Sequence, residues 1–168
     1  MSQFHDLYIN RHKMATALHN QGKTVLGFFE IYTPEEIIYA SNILPVRLLG
    51  GDGYPALADL HSKNYTCPYQ RSILDQGLRG NYDYIDGFVA PKACDATTRF
   101  SLIWENHIKK PYIYFVNLPH KRSENAISFF RESLLRFKEA LEKDFGEISE
   151  SSLKHAIHVY NENRALLK

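Results

Sequence analysis

Cysteine is scarce in this chain, whose 168 residues contain only Cys67 and Cys94. Its eight histidines are scattered, and none lies at a ligand-like short spacing from either cysteine. Zinc and iron–sulfur sites normally take four ligands, so two cysteines cannot complete such a site alone. The sequence therefore predicts part of a metal site, completed from outside the chain. A zinc site completed by histidine is the rival interpretation, and two buried or incidental thiols are the simplest alternative.

The chain also lacks a large excess of either charge and any long apolar run. The formal net charge is +1, so no strong field favours nucleic acid or an anionic membrane. No apolar run approaches the length that spans a bilayer, and the N-terminus lacks the basic and apolar regions of a signal peptide. With 44% hydrophobic and 23% charged residues, we expect one globular domain in the cytoplasm.

Strand patterns alternate with helix patterns along the chain. The predicted strands are Thr24–Ile31, Leu44–Leu49, Ile85–Ala90 and Pro111–Leu118. The predicted helices are Phe4–Asn20, Thr33–Ser41, Ala56–Lys63, Pro68–Leu78, Cys94–His107, Ser123–Lys143 and Ser151–Lys168. This order predicts an α/β fold: a parallel sheet of about four strands flanked by helices, Rossmann-like or flavodoxin-like, with helical N- and C-terminal segments.

Both cysteines are predicted to stand where a helix begins. Cys67 precedes Pro68, a residue that favours the first helical position, and Cys94 follows the third strand. A helix N-terminus favours a thiolate over a thiol, and the thiolate is the form that binds metals. We therefore expect Cys67 and Cys94 to act as metal ligands at one edge of the sheet.

The carboxyl ends of the strands carry two further candidates. Glu30 ends the first strand and His120 follows the fourth, at the edge where parallel sheets place their functional residues. Glu30 is the candidate for proton handling and His120 for contact with substrate; a packing or capping role is the simpler alternative for His120. Lys92 is a weaker candidate for an anion contact, and Asp95 is expected to cap its helix.

A capping box is predicted at the start of the second helix. Thr33 is expected to be the N-cap, with Pro34 at the first helical position and Glu36 closing the box. The last helix, in contrast, reaches Lys168 with no glycine, cap or proline. This pattern predicts that more chain follows, although a terminal helix can also simply fray.

Several runs in order along nearly the whole chain resemble the 2-hydroxyacyl-CoA dehydratase and benzoyl-CoA reductase family. They are Tyr32–Ala40, Leu44–Arg47, Cys67 with its helix, Gly80–Asp83, Asp86–Gly87, Cys94–Asp95, Leu118–His120 and Tyr160–Arg164. The resemblance implies two similar α/β domains per subunit, with a 4Fe-4S cluster between them held by three cysteines. Cys67 and Cys94 match the first two, and the third has no counterpart here. The chain, residues 1–168, is thus expected to be the N-terminal half of a longer or split subunit.

The resemblance also implies a chemistry and a set of partners. Those partners are a missing C-terminal domain or second chain, a paralogous sister subunit in a heterodimer, an ATP-dependent iron–sulfur activator and an acyl-CoA substrate. In dehydratases an injected electron makes a ketyl radical from the thioester carbonyl, water leaves, and the electron is recycled. In benzoyl-CoA reductases electrons reduce the aromatic ring and are consumed, and a further branch reduces small molecules at a double-cubane cluster. A non-catalytic metal-binding module and a catalytically inactive truncated domain are the alternatives from other classes.

Overall fold

The computed structural model describes residues 3–63, 66–108, 110 and 112–167. The helices are α1 (Gln3–Asn20), α2 (Glu35–Ala40), α3 (Pro68–Leu78), α4 (Asp95–Ile108), α5 (Glu124–Phe145) and α6 (Glu150–Leu166), with a 3₁₀ turn at Ala58–Leu60. The strands are β1 (Val25–Phe28), β2 (Leu44–Arg47), β3 (Gly87–Pro91) and β4 (Tyr112–Val116). Pro111 and Lys168, which bound two of the predicted elements, lie outside the described residues.

The four strands form one parallel sheet in the order β2-β1-β3-β4. Val25 pairs with Leu44 between β1 and β2, and Gly87 pairs with Tyr112 between β3 and β4. The central strands β1 and β3 are buried along their whole length. Burial of both faces is the pattern of a parallel sheet covered by helices on each side. The predicted α/β class and parallel sheet are confirmed.

Two apolar clusters fill the spaces between the sheet and its helices. One cluster joins the sheet to α1, α3 and α4 through Ala15, Phe29, Ile73, Leu74, Phe88, Phe100 and Trp104. The other joins it to α2, α5 and α6 through Leu26, Ile38, Val89, Phe137, Leu141 and Ala156. Neighbouring strand residues such as Phe88 and Val89 alternate between the clusters because successive side chains point to opposite faces. Among the described residues, no helix combines the length and apolar character needed to cross a bilayer.

Several elements are shorter than predicted, and the changes at β1 and at residues 56–63 bear on the loops around the sheet. β1 ends at Phe28 rather than Ile31 because the chain turns there, with the Thr33 N–H donating to the Glu30 carbonyl at 3.2 Å. The helix predicted over Ala56–Lys63 is one 3₁₀ turn, in which the His61 N–H donates to the Ala58 carbonyl at 3.0 Å. Glu30 therefore leaves the strand and stands in the loop beyond the sheet.

The predicted capping box at α2 is wrong. Pro34 occupies the N-cap position, no side chain caps the helix, and the buried Thr33 hydroxyl has no hydrogen-bond partner among the described residues. The Thr33 carbonyl instead accepts the Glu35 N–H at 2.9 Å, a tight turn that delays the helix by one residue. Glu36 is thereby free to pair with Arg164 of α6.

Most predicted helix ends are confirmed. Ser123 caps α5 by accepting the Ala126 N–H at 3.2 Å, and Asn42 and Gly80 have the positive φ angles, 60° and 81°, that end helices. Ile127, in the first turns of α5, is 71% exposed although its side chain is apolar. Burial along α5 begins only at Ser133, so its first turns extend beyond the core.

Candidate functional site

The strand order places a crevice between two loops. The chain proceeds from β1 outward to β2 and then returns to β3 on the other side, so the order reverses between β1 and β3. In open α/β sheets this reversal opens a binding crevice beyond the carboxyl ends of the two strands. Glu30 follows β1 and Cys94 follows β3, so both stand at this crevice.

Cys67 is the N-cap of α3, as its sequence context predicted. Pro68 follows as the first helical residue, and the Arg71 N–H donates to the Cys67 carbonyl at 3.0 Å. The side chain makes no capping hydrogen bond and is half-buried. Cys67 therefore lies at a helix start, whose first N–H groups have no partner within the helix and carry partial positive charge.

Cys94 has the equivalent position on α4. The Thr98 N–H donates to its carbonyl at 3.3 Å, which makes Cys94 the residue that opens the helix. The side chain is exposed, and its Sγ lies 3.3 Å from the Thr97 hydroxyl. Both cysteines are thus located at helix N-termini.

A buried hydrogen bond holds the first turns of α3 and α4 side by side. The Gln70 amide nitrogen donates to the Thr97 hydroxyl at 3.0 Å, and these side chains are 3% and 1% exposed. Gln70 lies three residues after Cys67, and Thr97 lies three residues after Cys94. Residues three apart share one face of a helix. The bond therefore brings the two cysteine-bearing helix ends together.

Glu30 joins the same network through Thr97. Its Oε1 accepts the Thr97 hydroxyl at 3.1 Å, and the side chain is half-buried. The structure thus brings Glu30 and Cys94 together through one hydroxyl group. Sequence reasoning missed Thr97 and Gln70; the signal was their common position three residues after a cysteine at a helix start.

His120 lines a neighbouring cleft of about 370 Å³. The other lining residues are Tyr32, Ala93, Leu118, Pro119 and Phe130, which belong to the loops after β1, β3 and β4 and to α5. His120 itself is exposed. The cleft meets the cysteine network at Ala93, directly before Cys94, and its wall is largely apolar and aromatic. Such a wall suits an apolar ligand group.

Two weaker candidates have structural partners. The Lys92 ammonium lies 5.6 Å from the centre of the Phe115 ring, a cation–π distance. Asp95 pairs with Arg99 one turn later, at 2.7 Å, on an exposed face. Asp95 is the first residue of α4, after Cys94 rather than in the capping position, and its charge there complements the helix dipole.

The donor set fits part of a metal site. Within residues 3–63, 66–108, 110 and 112–167, no group of three or more His, Cys, Asp or Glu side chains could hold a metal ion. The two cysteines at adjacent helix ends are suitable soft ligands for iron or zinc. Beside them, the buried Gln70 Oε1 has no hydrogen-bond partner among the described residues. These residues fit a centre whose remaining ligands come from another segment or chain.

Comparison with known proteins defines the class. A family model described as 2-hydroxyglutaryl-CoA dehydratase, D-component, matches residues 30–168. The chain belongs to this family, in agreement with the resemblance found in its sequence.

Several known proteins are similar to this chain in sequence. A benzoyl-CoA reductase subunit from Thauera aromatica is 31% identical over 87% of the chain. The beta subunit of lactoyl-CoA dehydratase of Anaerotignum propionicum is 28% identical over all of it, and that of (R)-2-hydroxyglutaryl-CoA dehydratase of Acidaminococcus fermentans is 29% identical over 86%. The matched region covers 39%, 45% and 39% of these relatives, so the chain spans about two fifths of their length.

Proposed function

We propose that this chain is the two-cysteine part of an iron–sulfur subunit of the 2-hydroxyacyl-CoA dehydratase type. Cys67 and Cys94 bind a 4Fe-4S cluster, and the remaining ligand set comes from a further domain or a second chain. The observation that carries the proposal is the Gln70–Thr97 hydrogen bond, because it holds the two cysteine-bearing helix ends together. Family membership supports the choice of this centre over zinc.

Each residue at the crevice has a distinct role in this proposal. Cys67 and Cys94 hold the centre from one side, each from the N-terminus of a helix. Glu30 holds or accepts a proton at its carboxylate, next to Cys94 and at the mouth of the crevice. The apolar cleft that His120 lines receives the acyl group of the thioester and excludes water from it. The cluster, when bound, supplies single electrons at low potential.

The assembly that completes the site follows from the same proposal. Two of the relatives are named as beta subunits and the reductase relative is named as one subunit of its enzyme, which supports a partner subunit for this chain. We place a sister subunit against it and an ATP-dependent iron–sulfur activator as the source of the electron. An acyl-CoA is the substrate.

Replacing each cysteine tests the ligand assignment. The chain is co-expressed anaerobically with the coding regions that flank its gene, and iron and sulfide are measured per assembled subunit. We expect Cys67→Ser and Cys94→Ser each to lose the cluster and its EPR signal while the circular dichroism spectrum is unchanged. A variant that retains a full cluster removes that residue from the ligand set. Zinc in place of iron in the unmodified assembly would favour a metal-binding module without this chemistry.

Benzoyl-CoA reductase-type ring reduction is the second candidate. The 31% identity to the reductase subunit from Thauera aromatica is the specific observation in its favour. Electron counting separates the two reactions, because dehydration returns its electron and ring reduction consumes electrons. With a chemical reductant, ATP and the activator, we expect a 2-hydroxyacyl-CoA to be converted with no net reductant use. Consumption of two electrons per benzoyl-CoA would assign the chain to the reductase branch.

A further inference from the structure

The Thr97 hydroxyl lies within hydrogen-bond distance of three polar groups but has only one hydrogen to donate. Its Oγ lies 3.1 Å from Glu30 Oε1, 3.0 Å from the Gln70 amide nitrogen and 3.3 Å from Cys94 Sγ. A threonine hydroxyl donates one hydrogen bond and accepts two. At 1% exposure, Thr97 has no room for solvent to take the place of a missing partner.

With Glu30 ionised, the Thr97 hydroxyl can make all three hydrogen bonds only while Cys94 carries a proton. In that state the Cys94 S–H and the Gln70 N–H both donate to Thr97, and Thr97 donates its hydrogen to the Glu30 carboxylate. A metal-bound Cys94 is a thiolate, which can only accept. Cys94 Sγ and the Glu30 carboxylate then both require the single hydrogen of Thr97.

We propose that Thr97 is a positioning residue whose one hydroxyl hydrogen is shared between the Cys94 thiolate and the Glu30 carboxylate, so that Glu30 sets the hydrogen bonding of a cluster ligand. The proposal rests on the proposed function, because it requires Cys94 to be that ligand. It gives Glu30 an influence on the metal centre that neither its position in the sequence nor its family suggested.

The physical consequence is a change in reduction potential. A hydrogen bond to a ligating sulfur stabilises the more negatively charged, reduced state and raises the potential. Thr97→Val keeps the side-chain shape and removes the hydroxyl, so it lowers the potential. Glu30→Gln removes the competing carboxylate and its charge, which releases the Thr97 hydrogen to Cys94 and raises the potential.

The first experiment is an EPR-monitored redox titration of the assembled enzyme. We expect a lower midpoint potential in Thr97→Val, a nearly unchanged one in Thr97→Ser, and a higher one in Glu30→Gln. Thr98→Val is the matched control, because the Thr98 hydroxyl faces the Cys94 carbonyl at 3.5 Å rather than its sulfur. A merely structural role for Thr97 would leave the potential unmoved.

A double variant that combines Glu30→Gln with Thr97→Val isolates the coupling between these two side chains. Removing the Glu30 charge raises the potential through space even without Thr97, so Glu30→Gln alone does not prove the sharing. We expect the rise caused by Glu30→Gln to be larger in the wild-type background than in the Thr97→Val background. Equal rises in the two backgrounds would overturn the proposal.

A metal-free measurement separates this proposal from the proposed function. In the Cys67→Ser chain only Cys94 contributes an S–H Raman band, and a hydrogen bond lowers its frequency. We expect Thr97→Val to shift the band to higher frequency and Thr98→Val to leave it in place. An unshifted band in Thr97→Val would contradict the hydrogen bond whether or not a cluster forms. Absence of a cluster from the assembled enzyme would instead refute the proposed function and, with it, the effect on potential.

Discussion

At the scale of single residues, Asp75 is a buried carboxylate that ties α3 to the preceding loop. It is 3% exposed, and it accepts the Leu57 N–H at 2.8 Å and the Arg79 Nε–H at 2.6 Å. Burial acts to raise its pKa, but the hydrogen bonds from Arg79 and Leu57 outweigh burial and lower the pKa of Asp75. The charged form is therefore favoured in the folded chain.

Asp75→Asn is expected to lower the free energy of unfolding by about 1–3 kcal/mol at pH 7, because the Leu57 N–H and the Arg79 guanidinium lose a buried, charged acceptor. A depressed folded-state pKa contributes stability above the unfolded value of about 4, and this contribution is lost as the pH falls through the folded value. The difference in free energy of unfolding between the wild type and Asp75→Asn, measured by urea titration, should therefore shrink below about pH 4.

Asp95→Asn is the matched control for this prediction. Asp95 pairs with Arg99 at the same four-residue spacing, but its side chain is 77% exposed. Solvent screens such a pair, so a change within about 0.5 kcal/mol is expected. Equal losses in the two variants would show that burial does not determine the contribution of Asp75.

Single residues also show where sequence reasoning reached the site and where it stopped. Cys67, Cys94 and Glu30 were predictable because each lies next to the end of an element with a strong pattern. Thr97 and Gln70 were not, because their importance arises from a contact between two helices, and no pattern in one helix encodes it. The ligand roles of Cys67 and Cys94 and the roles of Glu30 and His120 all remain predictions.

At the scale of elements, the contact between α2 and α6 holds the C-terminal helix on the domain. Glu36 pairs with Arg164, and the rings of Tyr39 and Tyr160 meet edge to face with centroids 5.9 Å apart. Burial, followed by the neighbouring charge of Glu36, raises the pKa of Glu35. Burial at this contact therefore disfavours the charge of Glu35, whereas the charge of Glu36 is paired with Arg164.

Glu35→Gln is expected to raise the free energy of unfolding at neutral pH. A raised folded-state pKa gives a contribution that is complete below the unfolded pKa of about 4.3 and is lost as the pH rises through the folded value. The advantage of the variant should therefore disappear below about pH 4 in denaturant titrations. If the difference in free energy of unfolding between Glu35→Gln and the wild type stayed constant with pH, the raised pKa of Glu35 would be contradicted.

Glu36→Gln serves as the opposite-sign comparison. It removes the ion pair with Arg164 and is expected to cost about 0.2–1 kcal/mol at pH 7. The ion pair between Glu36 and Arg164 also explains why the capping box was a wrong prediction. The same Thr-Pro-Glu-Glu run fits a cap or an interhelical contact, and only the position of α6 decides between them.

At the scale of the whole molecule, the strand order determines where the candidate site can form. The order β2-β1-β3-β4 places Glu30 and Cys94 beside each other at the reversal, although they are far apart in sequence. Alternation of strands and helices predicted the sheet, but pairing order depends on packing between distant segments. The remaining ligands of the proposed centre could not be placed, because the described residues contain no group of three or more His, Cys, Asp or Glu side chains that could hold a metal ion.

The central claim is that this chain is a two-cysteine half-site completed from outside. Anaerobic iron and sulfide quantitation with EPR, on the chain alone and on the assembly with its co-expressed partners, tests it most directly. We predict a 4Fe-4S signal with stoichiometric iron in the assembly and no cluster on the isolated monomeric chain. A cluster on the isolated chain would mean that copies share their thiolates, and no iron in either sample would contradict the iron–sulfur assignment.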